Sequence, residues 1–380
     1  MAVTEANHWP CAQCGADLRY APGQTELKCD HCGFVQAIPE KAPRQKAQAL
    51  TEHDLAKGLA DDLPDAASEE VRSTSCPNCG AVVEFQGANH ASQCPFCATP
   101  VVVDTGSHRR IKPQAVLPFE LTETQARKAL IGWLGSLWFA PNSLLEYTRA
   151  GRAMDGIYAP FWTYDADTDS RYRGQRGDYY YETEWVNVTV NGKTERRQEQ
   201  VRKIRWHATS GRVSRDFDDV LVMASSSLPA RLGNELTPWD LGKLQPYSPD
   251  YLAGFQAEGY TVKLSEGWVR AQAVMADVIE DDVRRDIGGD EQRVDSVDTD
   301  YSDETFKHIL LPVWMAAYKY NNKSYRFVVN GQTGEVQGER PYSIWKIAFA
   351  VLLVAIAVGA FVIANNPELV QDALPVWLSD

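Results

Sequence analysis

The sequence predicts an α+β protein: two N-terminal four-cysteine ribbons, a β-rich α+β domain carrying a candidate internal duplication, and one C-terminal transmembrane helix. Three observations lead there. One cysteine spacing occurs twice, residues 115–341 alternate apolar and polar positions between turn signals, and Ile347–Ala364 contains no charged residue.

The first spacing reads Cys11-Ala-Gln-Cys14, fourteen residues, then Cys29-Asp-His-Cys32. The second reads Cys76-Pro-Asn-Cys79, fourteen residues, then Cys94-Pro-Phe-Cys97. A Cys-x-x-Cys turn sets two sulfurs on one face of a tight knuckle, and two facing knuckles close a tetrahedral four-thiolate site for zinc. Glycine follows the second cysteine in three knuckles (Gly15, Gly33 and Gly80), and Ala98 follows it in the fourth. At those glycines a positive φ lets the backbone amides point at the sulfurs. The two sets use all eight cysteines. Two structural zinc ions are therefore expected, one on Cys11, Cys14, Cys29 and Cys32 and one on Cys76, Cys79, Cys94 and Cys97.

The first ribbon is expected over 8–38, with short strands at 18–20 and 25–28 around Pro22-Gly23. His31 sits inside a knuckle and is expected to point away from the metal. Residues 39–72 shift toward Ala, Pro, Gln and charge, which reads as a linker with one short helix near 51–59 and solvated charges. The second ribbon is expected over 73–104, with His90 in a loop because four thiolates already fill the tetrahedron. His108-Arg-Arg-Ile-Lys112 is a short basic run and reads as a solvated connection.

Residues 115–341 read as one β-rich α+β domain. Thr122-Glu-Thr-Gln125 is a capping box before an amphipathic helix with Ala126, Leu130, Trp133, Leu134, Leu137 and Trp138 on one stripe. Strand signals follow at 156–164, 179–190, 195–206 and 219–224, with a hairpin turn at Asn191-Gly192. A second helix is expected from Ser265, with Trp268, Ala271, Val274, Met275 and Val278 facing inward. Further strands are expected at 306–320 and 324–329. Pro160-Phe-Trp162-Thr-Tyr164 is echoed by Pro312-Val-Trp314, each after an amphipathic helix, which suggests two related halves burying these aromatics against each other.

The apolar helix is expected over 344–364, long enough at about 1.5 Å per residue to cross a hydrocarbon core of about 30 Å. Arg340 and Lys346 precede it, and Glu368, Asp372 and Asp380 follow. The positive-inside rule then places the N-terminal regions in the cytoplasm and the 365–380 tail outside. Paired thiolates at metal spacing independently fit a reducing compartment. Residues 1–10 have neither a basic nor an apolar region, so no signal peptide is expected.

No phosphate-cradling Gly-x-x-x-x-Gly-Lys loop, Gly-x-Ser-x-Gly elbow, His-Glu-x-x-His pair or spare cysteine occurs. No nucleotide partner and no catalytic residue are therefore expected. Asp165-x-Asp167-x-Asp169 starts like a calcium loop, but Ser170 stands at the sixth position and Arg176 at the twelfth. On a strand these aspartates share one face, read as solvated. Asp216, Asp218, Asp219 and Glu280-Asp281-Asp282 read as surface, and His207 and His308 as packing or surface residues. The net charge of −13 and pI near 5.1 disfavour a duplex-DNA partner.

The ribbons, Phe217-Asp-Asp-Val220, Asp286-Ile-Gly-Gly-Asp290, Thr305-Phe-Lys-His308, Val329-Asn-Gly-Gln-Thr-Gly334 and the terminal span together resemble a family of bacterial membrane-anchored double zinc-ribbon proteins. The resemblance runs over nearly the full length. Members are commonly labelled "primosomal protein N′ (replication factor Y), superfamily II helicase" or "TFIIB-type zinc ribbon protein", although this chain lacks helicase motor motifs. Related proteins tend to be encoded beside flotillin-like SPFH proteins and associated with envelope-stress or phage-shock responses. The resemblance implies a non-enzymatic adaptor that holds a cytosolic partner at the inner membrane face. A nucleic-acid-binding protein without motor activity is the alternative, and Arg109, Arg110 and Lys112 keep it open. An enzyme in 115–341 would instead need a deep cleft around Asp165, Asp167, Asp169 or His308.

Overall fold

The computed structural model describes residues 9–64, 67–76, 82–84, 91–93, 100–102, 107–138, 141, 154–190, 193–320, 323–339 and 343–365. Strands β1 (Leu18–Tyr20), β2 (Glu26–Cys29) and β3 (Val35–Ala37) form a small antiparallel sheet around the first cysteine set. Helix α1 (Pro43–Ala49), strand β4 (His53–Asp54) and helix α2 (Leu55–Leu59) follow. Next come β5 (Ser68–Ser75), β6 (Val82–Glu84), β7 (Ala91–Gln93), β8 (Pro100–Val102) and β9 (Ser107–Ile111), arranged as a β6-β5-β9 sheet and a β7-β8 pair. Of the second cysteine set only Cys76 is described; Cys79, Cys94, Cys97, and His90 with them, lie outside the described residues.

The rest is built on a nine-stranded sheet. Its elements are β10 (Ala115–Val116), helix α3 (Glu123–Ser136), β11 (Asp155–Val190), β12 (Lys193–Met223), helix α4 (Ala230–Asn234), β13 (Gln245–Pro246) and β14 (Gln256–Ala257). Helix α5 (Leu264–Ile287), β15 (Glu291–Tyr320), β16 (Lys323–Asn330) and β17 (Val336–Gly338) complete it. The main path runs β12-β11-β15-β10-β13, while β14 pairs with β11, β4 and β16 pair with β15, and β17 pairs with β16.

Three of these strands are far longer than the sequence signals suggest. The separate strands expected at 156–164 and 179–190 are one 36-residue strand, β11. The stretch between them, including Asp165, Asp167 and Asp169, is continuous strand paired on both sides. At about 3.3 Å per residue β11 reaches up to about 115 Å. Its pairing with β12 closes at Val190↔Lys193; the turn residues Asn191 and Gly192 lie outside the described residues. Two bulges flank Asp165. Extra residues Asp218-Asp219 bulge from β12 and Asp303-Glu304 from β15, with Asp219 and Asp303 at φ 54° and 52°.

The sheet is covered on both faces at the end where β11 begins. On one face α3, held by the predicted Thr122–Gln125 capping box, buries Ala126, Leu130 and Leu134, while Trp138 is exposed. On the other face Leu228, Leu232, Leu236 and Leu244 cover Ile157, Ala159, Phe161, Ile309 and Leu311. Cys76 is buried in that same apolar cluster. Toward the hairpin α5 covers one face, and no other described element packs on the opposite face. This helix buries Gly267, Ala271, Met275, Ile279, Val283 and Ile287, a row of four-residue steps. Val274, expected inward, is exposed. A straight helix laid along a strongly twisted sheet meets it along an i,i+4 ridge, so the contact row winds away from Val274. A Cβ on Gly267 would lie 2.2 Å from the Tyr164 hydroxyl, which is why this crossing point is glycine.

The two aromatic motifs do not pack against each other. Trp162 lies opposite His308 and Trp314 opposite Gly156. Trp162 therefore joins Tyr260 and Phe306 under α5, whereas Trp314 joins Phe119 and Phe255 some 20 Å away at about 3.3 Å per residue. Antiparallel register separates what the sequence echo suggested would meet.

The segment 39–72 does more than link. Its β4 pairs with Thr305-Phe306 of β15, Leu55 is buried beneath α5, and the Gly58 Cα sits against the Phe306 ring. The helix expected near 51–59 is α2, capped by Asp54, with α1 preceding it. The last helix, α6 (Ile344–Asn365), is long and apolar enough over Trp345–Val362 to cross a membrane, and none of that stretch is buried.

Candidate metal centre

Two loops of identical construction hold the first cysteine set. In each, the amide after the second cysteine donates back to the first cysteine's carbonyl: Gly15 N to Cys11 O at 2.8 Å and Gly33 N to Cys29 O at 2.9 Å. The return bonds Cys11 N to Ala16 O (2.7 Å) and Cys29 N to Phe34 O (2.8 Å) lock both loops. Gly15 and Gly33 adopt φ 76° and 77°, the left-handed region the sequence anticipated.

The four sulfurs converge. Cys11 Sγ and Cys32 Sγ are 3.5 Å apart, as are Cys14 Sγ and Cys29 Sγ, and all four lie within 4.8 Å of one another. Zinc–sulfur bonds of about 2.3 Å in a tetrahedron require sulfurs about 3.8 Å apart, so the set has the size for one zinc. Charge supports the fit. Backbone amides of Cys32 and His31 hold the Cys29 thiol down at about 7. Cys32 goes the other way, to about 12: the Phe34 amide lowers it, but burial and the neighbouring sulfurs outweigh that. Four adjacent thiolates need a cation between them. His31 is exposed, clear of the cluster.

Cys11 and Cys29 are buried, whereas Cys14 and Cys32 are exposed. The buried side is welded to the large sheet. Leu18, Tyr20, Leu27 and Ile38 share one apolar cluster with Val116, Phe119, Tyr158 and Tyr251. Tyr20 meets Tyr251 edge-on at 5.5 Å. Tyr20 N donates to Ala253 O, Gly23 N to Phe119 O (2.9 Å each), and Trp9 Nε1 to Asp250 Oδ1 at 2.9 Å. The turn at Gly23 (φ 78°) leaves 3.1 Å between an added Cβ and Glu120 O, so close approach there requires glycine.

A second polar cluster lies at the bulges, and sequence reading missed it. Lys307 is buried, and its Nζ lies 2.8 Å from Glu52 Oε1 and 2.8 Å from Asp219 Oδ1. Asp165 accepts from Asp219 N at 2.5 Å, and the Thr305 hydroxyl lies within 2.9 Å of both Asp165 and Glu52 carboxylates. Burial, then the facing Glu52, push Asp165 up to about 7. Burial opposes ionisation of Glu52 too, but hydrogen bonds from Asp165, Lys307 and Thr305 win and hold it at about 2. The pair thus shares one proton near neutrality. Glu52 and Asp165 also lie within 4.8 Å of Asp218, while Asp167 points into solvent and Asp169 pairs with Arg212. The three aspartates share a strand face without converging on one point. A lone lysine inside the apolar run Phe306–Trp314 was the available signal.

Two surface assignments change. Asp219 is part of this network, and Asp282 takes a two-point contact from Arg215 (2.5 and 2.8 Å) that ties α5 to β12. His308 is buried, with Nδ1 2.9 Å from Ile111 O, and burial pushes it down to about 4, so it is neutral at neutral pH. Arg110 and Lys112 lie over the Tyr260 and Tyr247 rings.

The sign of the Asp165 shift gives a test. A carboxyl raised in the folded state binds its proton more tightly there, so this group favours folding more as pH falls from about 7 toward 4. Asp165→Asn mimics the protonated form. It is expected to leave stability at pH 5 nearly unchanged and to flatten the pH 5–8 dependence of urea unfolding; an unchanged slope refutes the shared proton.

No family model matches the chain. A Bacillus subtilis (strain 168) protein named "Uncharacterized protein YdjG" is 25% identical over 344 residues, covering 90% of this chain and 92% of that protein. No solved structure matches.

Proposed function

We propose that the chain is a non-enzymatic adaptor anchored in the inner membrane by α6, with residues 1–343 in the cytoplasm. Two structural zinc ribbons stabilise its N-terminal part, one on Cys11, Cys14, Cys29 and Cys32 and one on Cys76, Cys79, Cys94 and Cys97. The observation that carries this reading is an unburied apolar helix on a chain whose thiolate cluster is built into a large sheet. Zinc there supplies folding free energy and keeps no open coordination position for chemistry.

The topology adds a direction. Strand β17, the last before α6, runs parallel to β15 toward its Tyr320 end, whereas the β11–β12 hairpin closes at the other end of the sheet. The long arm therefore extends away from the end that leads into the anchor. A partner of the SPFH/flotillin-like or envelope-stress class, suggested by the resemblance, would meet this arm or the ribbons in the cytosol.

Deleting 344–380 is expected to move the protein from the membrane pellet to the soluble fraction with its sheet intact. Recovery in the pellet removes the anchor. Crosslinking in native membranes is expected to enrich one protein partner in a nuclease-resistant manner. Partners lost on nuclease treatment support the nucleic-acid alternative instead.

A further inference from the structure

The outer part of the β11–β12 arm treats its two faces differently. On the side that α5 covers nearer the body, cations and acids pair with one another. Arg176 meets Asp178 at 3.0 Å, and Lys203 meets Glu182, at 2.7 Å, and Glu184. Outward from Gln175, the opposite face carries Arg196, Arg202 and Arg293 against one acid among the described residues, Glu291, in a chain of net charge −13. Glu291 accepts from the Tyr179 hydroxyl at 2.6 Å. The three arginines are held by rings instead. Arg196 lies over Trp185, Arg202 over Tyr179 and Arg293 over Trp206, at 5.7, 4.3 and 3.9 Å from the ring centroids. None of the three has an ion-pair partner among the described residues. Trp206 itself lies across Gly177, where an added Cβ would stand 3.0 Å from ring carbon Cζ3. Beside this ladder Tyr181, Trp185 and Ile204 are 65%, 59% and 38% exposed, and none of them belongs to a buried apolar cluster.

We propose that this face is the docking site of a protein partner whose contact surface sets carboxylates beside apolar side chains. The proposal deepens the adaptor reading and rests on it. A guanidinium resting on a ring is positioned in advance, and the N–H groups at its rim stay available for a two-point contact with a carboxylate. Tyr, Trp and Arg are also the side chains that supply most of the binding energy at protein interfaces. From Tyr179 to Trp185 the ladder runs about 20 Å at about 3.3 Å per residue, a length that one partner helix spans in about four turns. Other occupants fit less well. Bases stack on bare rings, and guanidiniums already lie over Tyr179, Trp185 and Trp206. A two-fold pairing of this face with itself would oppose arginines to arginines. The bilayer, in the anchor reading, lies at the other end of the sheet.

The test places a photoreactive benzoylphenylalanine at position 181 of the full-length chain, in place of Tyr181, and irradiates native membranes. One nuclease-resistant protein adduct is expected. Its crosslinked segment, read by mass spectrometry, should carry Asp or Glu beside the crosslinked residue. Arg202→Glu or Arg293→Glu in the probe chain is expected to lower the adduct yield roughly tenfold. Arg202→Gln, which removes the charge without reversing it, is expected to lower the yield about threefold. The reading therefore does not depend on a charge-reversed variant folding normally. Arg197→Glu makes the same charge change on the opposite face and is expected to keep the yield within about twofold of the parent. No adduct overturns the proposal, as does an adduct with lipid, nucleic acid or a second copy. A crosslinked segment without carboxylates, or an equal loss in Arg197→Glu, also overturns it. A partner captured by lysine-directed crosslinking but absent from the position-181 adduct overturns this face and leaves the adaptor standing. Absence of any partner by both routes removes the adaptor reading with it.

Discussion

Cys29→Ser is expected to lower bound zinc by about one ion per chain and to destabilise the large sheet as well as its own ribbon. The reason is the docking. Leu18, Tyr20 and Leu27 are buried, and the cluster they complete reaches Phe119, Tyr158 and Tyr251. Burying a large apolar side chain is worth about 1.5–3 kcal/mol, so freeing several from their partners costs more than about 3 kcal/mol. At roughly 2–4 °C per kcal/mol for a domain of this size, the main thermal transition should fall by about 10 °C. A detached finger would instead lose its zinc while the transition of 115–341 stayed in place. Zinc content per chain and a melt followed by tryptophan fluorescence separate the two. Equal zinc in variant and parent would remove Cys29 from the ligand set.

Lys307→Met is expected to be the most damaging single change in the large domain. It leaves Glu52, Asp219 and Asp165 facing one another without their cation. Removing one partner of a buried pair costs about 3–5 kcal/mol, and the lower end applies here because the Glu52 and Asp219 side chains keep 31% and 25% exposure. The loss should be largest at pH 8 and shrink toward pH 5, since crowded carboxylates relieve repulsion by taking up protons. Urea unfolding at the two pH values measures this. A loss under about 1 kcal/mol, or one that does not change with pH, would mean that solvent already neutralises the network. Protease sensitivity near 39–64 should rise with the variant, because Glu52 is the polar anchor holding that segment against β15.

Much of this protein was legible in the chain itself. Cysteine spacing and the glycines after the knuckles specified the first thiolate cluster, because every determinant lies within one turn of its ligand. The Thr122–Gln125 cap and the charge-free terminal run were equally local. The strands around Pro160 and Pro312 were recognised, but their length was not. Asp165–Asp178 looks polar enough for a loop, and it becomes strand because β12 and β15 supply backbone partners on both sides.

What only the tertiary structure decided is what meets across sequence distance. Nothing near Glu52 predicts Lys307, 255 positions away, and nothing in the first cysteine set predicts Tyr20 against Tyr251. Local conformational preference is set by neighbours one to four residues apart, so the sequence alone determines knuckles, caps and an apolar helix long enough to cross a membrane. Register and docking are set by long-range burial, which selects one alignment among many that the local pattern tolerates equally well.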